Sequence, residues 1–332
     1  MPSLNNTLTQ RLAALDAQNL YRRRREITGL HAAQTVVNGQ TVINFCSNDY
    51  LGFASDPRLI TALQEGATRY GVGSGASALV TGHNRVQREL EDHLAAWLGV
   101  ERTLCFANGY ACNVGVISAL MGKNDLIVED WLNHASLRDG ARLSGARIHR
   151  YTHGDVAAAS AVMGDTQHTL ITTDGTFSMD GDCADWHALQ ALASTHGAWL
   201  MMDDAHGLGV FGERGLGLLD APPRPSPPDI YTATLGKAFG LAGAFVAGSE
   251  ALIEYCVQKA RTLVFSTAPP PALAYAGLTA LGMVQNAHAE RAHLAALITQ
   301  FKHGAAQLGL PLLPSNTAIQ PLLLGDETRA LA

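Results

Sequence analysis

From about residue 100 onward, short apolar runs alternate with segments of helical periodicity. Strands that are apolar on both faces and separated by helices are typical of a parallel sheet covered on both sides. The pattern therefore predicts an α/β fold, in which a mostly parallel seven-stranded sheet lies between helices. The strand runs are TLCFA (103–107), DLIVED (125–130), RIHRY (147–151), TLITTD (169–174), AWLMMDD (198–204), DIYTATL (229–235) and AFVAG (244–248).

The periodicity also predicts the helices and a division into domains. Helices are expected at 110–121, 136–145, 155–163 and 185–195, with another around RELEDHLAAWLG (88–99), an N-terminal helix and a turn at NGQ (38–40). After APPP (268–271) the pattern predicts one long helix and a strand at AIQPLLLG (318–325). We expect an N-terminal helix and strand segment over 1–50, a large α/β domain over 51–268, and a partial α+β C-terminal domain over 269–332.

Composition narrows the class of protein. The chain has 332 residues and a formal net charge of −6, without a long basic stretch, which disfavours nucleic acid as the main partner. The run Arg22–Arg25 is interpreted as a solvated helix face or as a contact for an anionic substrate. No secretory leader is evident, and no apolar run approaches the roughly 18 residues of a membrane span, so a cytoplasmic location is expected.

Cysteines and histidines give little sign of a metal site. The five cysteines are odd in number and lack close metal-type spacing, which fits reduced thiols. His149 and His153 are four apart, a spacing that would suit a metal on a helix, but RIHRY reads as a strand entering a loop. We therefore expect no metal.

Candidate chemistry lies where strands run into loops, because ligands bind beyond the carboxyl ends of strands in open parallel sheets. Lys237, in TATLGKAFG, is either an ordinary surface lysine or a Schiff-base nucleophile with a lowered pKa. Asp203 ends an apolar strand and needs a cationic partner, for which a protonated pyridine nitrogen is one candidate. His206, three residues later, could reach a phenolate oxygen on the same ring.

Two further features complete the pattern. The stretch Asn108-Gly109-Tyr110 opens a helix whose N-H groups suit a phosphate. His134 follows a strand end, where it is either a structural histidine or a group that stacks on a ring. A lysine, an acid, a phosphate site and a histidine together indicate pyridoxal 5'-phosphate. A Rossmann dehydrogenase is disfavoured, because no G-x-G-x-x-G opens a helix after the first strand.

The order of longer motifs carries a family resemblance that covers nearly the whole chain. The sequence resembles the α-oxoamine synthases, which are fold-type I pyridoxal phosphate-dependent transferases. The motifs that carry the resemblance are SNDYLGF, YGVGSGASALVTGHNRVQRELE, NHASLRDG, DGTFSMDGD, DDAHGLGVFGERG, TLGKAFG and FSTAPPP.

The resemblance implies a role for each matching residue. It makes Lys237 the lysine that joins the cofactor, Asp203 the partner of the pyridine nitrogen and His206 the partner of the ring oxygen. It makes His134 the residue that stacks on the ring and, with His206, a plausible proton donor. Members are homodimers with the active site at the interface. The other implied positions are Gly109, Tyr110, Ser178 and Thr234 at the cofactor, Arg22 and Asn48 on the substrate side, and Ser74 and Thr267 at the neighbouring subunit's site.

The resemblance also implies a reaction, the decarboxylative condensation of an amino acid with an acyl thioester. SMDGD and GASALVTGHNRV favour the biotin-biosynthetic members, which use L-alanine and pimeloyl-CoA or the pimeloyl-acyl-carrier protein. Sister activities with glycine or serine, a non-catalytic partner subunit and an aminotransferase stay open. The family continues beyond the position of residue 332 and supplies there an arginine for the amino-acid carboxylate, a role to which no residue of 1–332 is assigned.

Overall fold

The computed structural model describes residues 3–164, 166–220 and 226–331. Its strands lie in a small sheet near the N-terminus and a seven-stranded sheet that begins after residue 100. The strands are β1 Ile27–Thr28, β2 Gln34–Val37, β3 Gln40–Ile43, β4 Arg102–Phe106, β5 Leu126–Asp130, β6 Arg147–Tyr151, β7 Thr169–Asp174, β8 Trp199–Asp203, β9 Ile230–Thr234 and β10 Ala244–Gly248.

Helices connect and cover the strands of the large sheet. The α-helices are α1 Leu4–Ala17, α2 Pro57–Tyr70, α3 Arg85–Leu98, α4 Gly109–Leu120, α5 Ala135–Ser144, α6 Val156–Ala161, α7 Trp186–His196, α8 Glu250–Lys259, α9 Arg261–Val264, α10 Pro271–Gln285, α11 His288–Gln307 and α12 Glu327–Leu331. Shorter helical turns occur at Phe53–Ser55, Ala78–Gly82 and Gly217–Asp220.

The large sheet has the strand order β4-β10-β9-β8-β7-β5-β6. Strands β5 to β9 pair in parallel, and β10 is antiparallel to both of its neighbours, β9 and β4. The prediction of a mostly parallel seven-stranded sheet between helices is therefore confirmed. The parallel arrangement brings the carboxyl ends of β5, β7, β8 and β9 to one edge.

Both faces of this sheet are buried, as the apolar runs predict. Met201 and Met202 of β8 point to opposite faces and pack into different apolar clusters, and both are fully buried. Cys112 of α4 and Leu137 of α5 belong to the same cluster as Met201, and Trp186 of α7 belongs to the same cluster as Met202. Burying a large apolar side chain in this way contributes about 1.5–3 kcal/mol.

The turn predicted at residues 38–40 is confirmed in the small antiparallel sheet. Strands β2 and β3 form a hairpin whose central residues, Asn38 and Gly39, have φ of 49° and 81°. Positive φ at both central residues matches the right-handed twist of the flanking strands, which is why Asn-Gly is favoured there.

The prediction for the C-terminal segment is partly wrong. Two helices, α10 and α11, replace the single long helix, and the buried Arg291 of α11 makes hydrogen bonds across the break. Its guanidinium donates to the carbonyl oxygen of Val284 near the end of α10 at 2.8 Å, and to that of Glu213 in a distant loop at 2.9 Å. The bond to Val284 gives a partner to a carbonyl group that a continuous helix would bond internally.

The strand predicted over 318–325 does not form within the described residues. An isolated bridge joins Leu312 and Leu322 there. Pro321 lacks the N-H that a ladder needs, which disfavours a regular strand. The division into domains at residues 50 and 268 stays a prediction.

Residues 3–164, 166–220 and 226–331 contain neither a membrane-spanning helix nor a metal-binding cluster. No helix there combines the length and the apolar character that crossing a membrane requires. No group of three or more His, Cys, Asp or Glu side chains there could hold a metal ion. His149 lies in β6 and His153 in the loop that follows it, as the strand interpretation of RIHRY predicted.

Candidate active site

Two acidic side chains lie next to each other at the carboxyl edge of the sheet. Asp174 ends β7 and Asp203 ends β8, and the parallel register pairs the two residues directly. Asp174 is 6% exposed and Asp203 is 7% exposed. Burying two neighbouring carboxylates is costly unless cations or hydrogen-bond donors compensate them. The edge is therefore a place where a positively charged group would be stabilised.

Asn113 of α4 holds the Asp203 carboxylate in place. Its Nδ2 donates to Asp203 Oδ2 at 2.6 Å, and its Oδ1 accepts from the hydroxyl of Thr232 at 2.9 Å. The backbone N-H of Ala205 donates to the other carboxylate oxygen at 3.0 Å. Asp203 is therefore fixed in orientation and charge-stabilised. The sequence analysis missed Asn113, although a buried polar residue in the apolar helix α4 is a signal that could have identified it.

Asp174 is a second residue that the sequence analysis missed, although it ends an apolar strand just as Asp203 does. Burial and the neighbouring Asp203 carboxylate raise the pKa of Asp174 well above its ordinary value. The backbone N-H of His134 donates to Asp174 Oδ2 at 2.6 Å. Asp174 thereby fixes His134, the N-cap residue directly before α5.

Lys237 follows β9 and faces this acidic edge. Burial lowers the pKa of its amine, while the charges of Asp203 and Asp174 oppose that shift. Within the described parts of the chain its Nζ makes no hydrogen bond and no ion pair. A half-buried amine with a lowered pKa and no fixed partner is suited to act as a nucleophile or base.

Close packing and backbone geometry account for the glycine-rich sequence around Lys237. Gly240 has φ of 67°, and a Cβ placed on it would lie 2.4 Å from the backbone nitrogen of Ala54 and 2.5 Å from the carbonyl carbon of Phe53. Before the lysine, the N-H of Gly236 donates to Thr234 Oγ1 at 3.0 Å. The lysine turn is therefore packed directly against the segment around Phe53, where a side chain would not fit.

His206 is held by Tyr50, a third residue that the sequence analysis did not identify. The Tyr50 hydroxyl lies 2.7 Å from His206 Nδ1 and also donates to Asn48 Oδ1 at 3.3 Å. Burial, with the positive charge of Lys237, lowers the pKa of His206 to about 3. His206 is accordingly neutral at physiological pH.

The lowered pKa of His206 predicts a pH effect on stability. Below its ordinary pKa of 6.5 the unfolded chain binds a proton at this position and the folded chain does not. The free energy of unfolding should therefore fall as the pH decreases from about 6.5 towards 3. Between pH 7 and pH 5 we expect wild type to lose about 1–2 kcal/mol more than His206→Asn in urea unfolding. An equal loss in both proteins would contradict the assigned pKa.

Space for an anion lies at the start of α4. Its first N-H groups have no partner within the helix, and a Cβ placed on Gly109 would meet no atom within 4 Å. The Asn108 side chain caps the helix by accepting from the N-H of Ala111 at 2.8 Å. His134 is oriented nearby by a 2.7 Å contact between its Nδ1 and the Ser136 hydroxyl.

The remaining predicted residues lie in other segments of the chain. Ser178 lies in a turn after β7, and Ser74 donates to the carbonyl oxygen of Pro269 at 2.6 Å. Thr267 forms an isolated bridge with Ser77, so it lies beside the Ser74 segment. Arg22 is exposed and makes no hydrogen bond or ion pair within the described chain.

These groups fit pyridoxal phosphate. The amine of Lys237 suits its aldehyde, and the paired acids suit its pyridinium nitrogen. The open start of α4 suits its phosphate. The donor set therefore matches the cofactor that the sequence pattern indicated.

Comparisons with known proteins agree with this site. The family model described as aminotransferase class I and II matches residues 40–332. The 8-amino-7-oxononanoate synthase of Pseudomonas entomophila is 51% identical, over 98% of this chain and 84% of its own length. The enzyme of the same name from Thioalkalivibrio sulfidiphilus is 50% identical, over 100% of this chain and 84% of its own length.

Solved structures show the same fold. Serine palmitoyltransferase from S. paucimobilis, with bound PLP-myriocin aldimine, superposes with a TM-score of 0.91 at 26% identity, covering 98% of this chain and 87% of its own. The 8-amino-7-oxononanoate synthase of Francisella tularensis superposes with a TM-score of 0.75 at 30% identity, covering 86% of this chain and 82% of its own. The chain belongs to the 8-amino-7-oxononanoate synthase family of pyridoxal phosphate-dependent acyltransferases, within aminotransferase class I and II.

Proposed function

We propose that this protein condenses L-alanine with pimeloyl-CoA, or with the pimeloyl-acyl-carrier protein, to give 8-amino-7-oxononanoate, carbon dioxide and a free thiol. The observation that carries the chemistry is the amine of Lys237, with its lowered pKa, facing the paired acids Asp203 and Asp174. The choice of substrates rests on relatives of that name at 50–51% identity over nearly the whole chain.

Each residue of the site has a proposed task. Bound pyridoxal phosphate supplies a protonated ring that withdraws electrons from the amino-acid Cα. Asp203 keeps the proton on the ring nitrogen, and Lys237 holds the cofactor between turnovers and removes the Cα proton of the substrate. The other proposed cofactor contacts are Gly109, Tyr110, His134, Ser178, His206 and Thr234.

The bond changes balance around the substrates. A carbon-carbon bond forms between alanine Cα and the thioester carbonyl carbon, and the carbon-sulfur bond breaks to release the thiol. The former alanine carboxylate then leaves as carbon dioxide, and a proton returns to Cα. We assign the donation of protons or hydrogen bonds to these groups to His134 and His206, and contacts on the substrate side to Arg22 and Asn48.

The proposal predicts which amino acid supports thiol release. With pimeloyl-CoA and pyridoxal phosphate, L-alanine should give thiol and carbon dioxide in equal amounts. Glycine and L-serine should react at least about tenfold more slowly, because small steric differences in a pocket discriminate by that order. Thiol release is followed with a disulfide reagent, and carbon dioxide with carboxyl-labelled alanine.

A serine-using synthase is the second candidate, because solved serine palmitoyltransferases superpose with TM-scores of 0.90 and 0.91. In the same assay L-serine with palmitoyl-CoA should then exceed L-alanine with pimeloyl-CoA. Amino transfer to a keto acid without thiol release would instead indicate an aminotransferase.

We also propose a homodimer whose subunits share the site through Ser74 and Thr267. Large apolar side chains near these residues are exposed, including Val72 at 84%, Val80 at 75% and Phe265 at 71%. Contiguous exposed apolar surface of this kind marks a protein interface. Light scattering at micromolar concentration should give twice the mass of one chain.

A further inference from the structure

The ring of His153 lies between the carboxylates of Asp130, at the end of β5, and Asp182, in the loop after β7. Its Nδ1 is 2.9 Å from Asp130 Oδ1, and its Nε2 is 2.8 Å from Asp182 Oδ2. The His153 side chain is 24% exposed and the Asp130 side chain is 2% exposed. The histidine thus occupies a defined position in the loop after β6.

The two carboxylates, of Asp130 and Asp182, favour the protonated form of the His153 ring. A protonated imidazole donates from both ring nitrogens, so this form of His153 can bond the two carboxylates at once. Burial alone lowers the pKa of His153, but the bonds to Asp130 and Asp182 outweigh burial and raise it above its ordinary value. The ring therefore bridges the two carboxylates through two directed bonds.

One end of the bridge closes the turn that carries Ser178. The N-H of Phe177 donates to the Asp182 carbonyl oxygen at 2.9 Å, and the N-H of Gly181 donates to the Phe177 carbonyl oxygen at 2.9 Å. The Phe177 ring also meets the His153 ring edge-on, with centroids 4.4 Å apart. His153 thus contacts this turn, residues 177–182, at both of its ends.

The other end of the bridge holds the loop that leads to His134. Asp130 ends β5, and its carboxylate accepts from the N-H of Leu132 at 2.8 Å and from that of Gly154 at 3.0 Å. The same carboxylate therefore fixes the first residues of the 131–134 loop and the loop of His153 itself. Through its contacts with Asp130 and Asp182, the His153 side chain connects the segment that leads to His134 with the turn that carries Ser178.

We propose that His153 is a positioning residue for the cofactor site, which holds the 177–182 turn so that Ser178 faces the cofactor opposite His134. The proposal rests on the proposed function, in which Ser178 contacts the cofactor. The Ser178 hydroxyl makes no hydrogen bond within the described residues, so it is available to a ligand once the turn is fixed. Serine and histidine can then meet the cofactor at little cost in ordering.

The turn of residues 177–182 is held by a second side chain besides His153. Ser315 donates to the Gly181 carbonyl oxygen at 2.8 Å, on the side of the C-terminal segment. This bond holds the turn without connecting it to the loop of His134. Loss of His153 should therefore leave the turn folded but free to shift relative to His134.

The test is a double-mutant cycle between His153 and Ser178, with the dissociation constant of pyridoxal phosphate as the readout. Reversible titration of intrinsic tryptophan fluorescence is used, so activity is not needed. His153→Ala and Ser178→Ala should each weaken binding about tenfold, and the double variant should be no weaker than about tenfold, because coupled residues act as one unit. His153→Gln, which keeps one N-H donor, should recover part of the loss.

The controls separate positioning from general destabilisation. His149→Ala is the matched variant, since His149 is exposed in the same strand region and its Nδ1 contacts only the Val162 carbonyl oxygen, at 2.8 Å. It should bind the cofactor like wild type. Circular dichroism and thermal unfolding establish that each variant is folded at the titration temperature.

Three results would overturn the inference: wild-type binding by His153→Ala, no effect of Ser178→Ala, or a double variant weakened about a hundredfold, the product of independent losses. Failure of the proposed function would look different. In that case wild type would release no thiol with any amino acid, while the binding cycle would still report on His153.

Discussion

Lys237→Ala is expected to lower kcat for thiol release by about 10³-fold or more, because a general base and cofactor anchor contribute at least that much to such reactions. No other lysine of the described residues shares its location: the amine lies at the carboxyl edge of the sheet, where burial lowers its pKa and the acids Asp203 and Asp174 oppose the shift. Borohydride should fix pyridoxal phosphate covalently to wild type and leave the variant unlabelled.

The exposed Lys259, in the last turn of α8, supplies the matched control. Lys259→Ala should keep both the labelling and the rate. Covalent labelling of Lys237→Ala at the wild-type level would remove Lys237 from the proposed role and return it to an ordinary turn lysine.

Asp203→Asn is expected to lower kcat by about 10²–10³-fold, the size typical of removing one preorganised electrostatic group from an active site. Asparagine has the shape of aspartate, but its one carbonyl oxygen can accept either the bond from Asn113 or the bond from Ala205, which go to different carboxylate oxygens. Because the shape is kept, the fold should persist, while the negative charge that keeps the ring nitrogen protonated is lost. Steady-state kinetics with L-alanine, together with thermal unfolding, check both parts.

A surface aspartate tests whether charge loss alone explains the result. Asp92 pairs with Arg88 on the exposed face of α3, at 3.8 Å. Asp92→Asn should keep full activity, since exposed ion pairs contribute little. A rate for Asp203→Asn within a factor of about three of wild type would argue against a pyridinium partner at this position.

Much of the site could be predicted because the residues concerned each follow a recognisable strand. Asp203, His206 and Lys237 come directly after apolar runs, and the parallel sheet brings such strand ends together. Asn113 and Tyr50 were missed for a physical reason. Their bonds to Asp203 and His206 join positions 90 and 156 residues apart, and local periodicity holds no information on such pairs.

The errors in the fold also have tertiary causes. At the break between α10 and α11, Arg291 bonds the carbonyl group of Glu213, in a loop that lies 78 residues earlier in the chain. The apolar run at 318–325 resembles a strand, but Pro321 disrupts the ladder and leaves a single bridge. In both places a long-range contact or a missing donor overrides the pattern.

Because Gly240 packs against Phe53 and Ala54, assembly of the site depends on contacts between distant parts of the chain. The segment around Phe53 meets the lysine turn there, and Tyr50 of the same segment holds His206. An early piece of the chain thus joins two loops that are made much later during synthesis. Contacts over such sequence separations form slowly, because a large loop must close first. The cofactor pocket is therefore completed only after Gly240 has left the ribosome, and a nascent chain that stops earlier cannot assemble it.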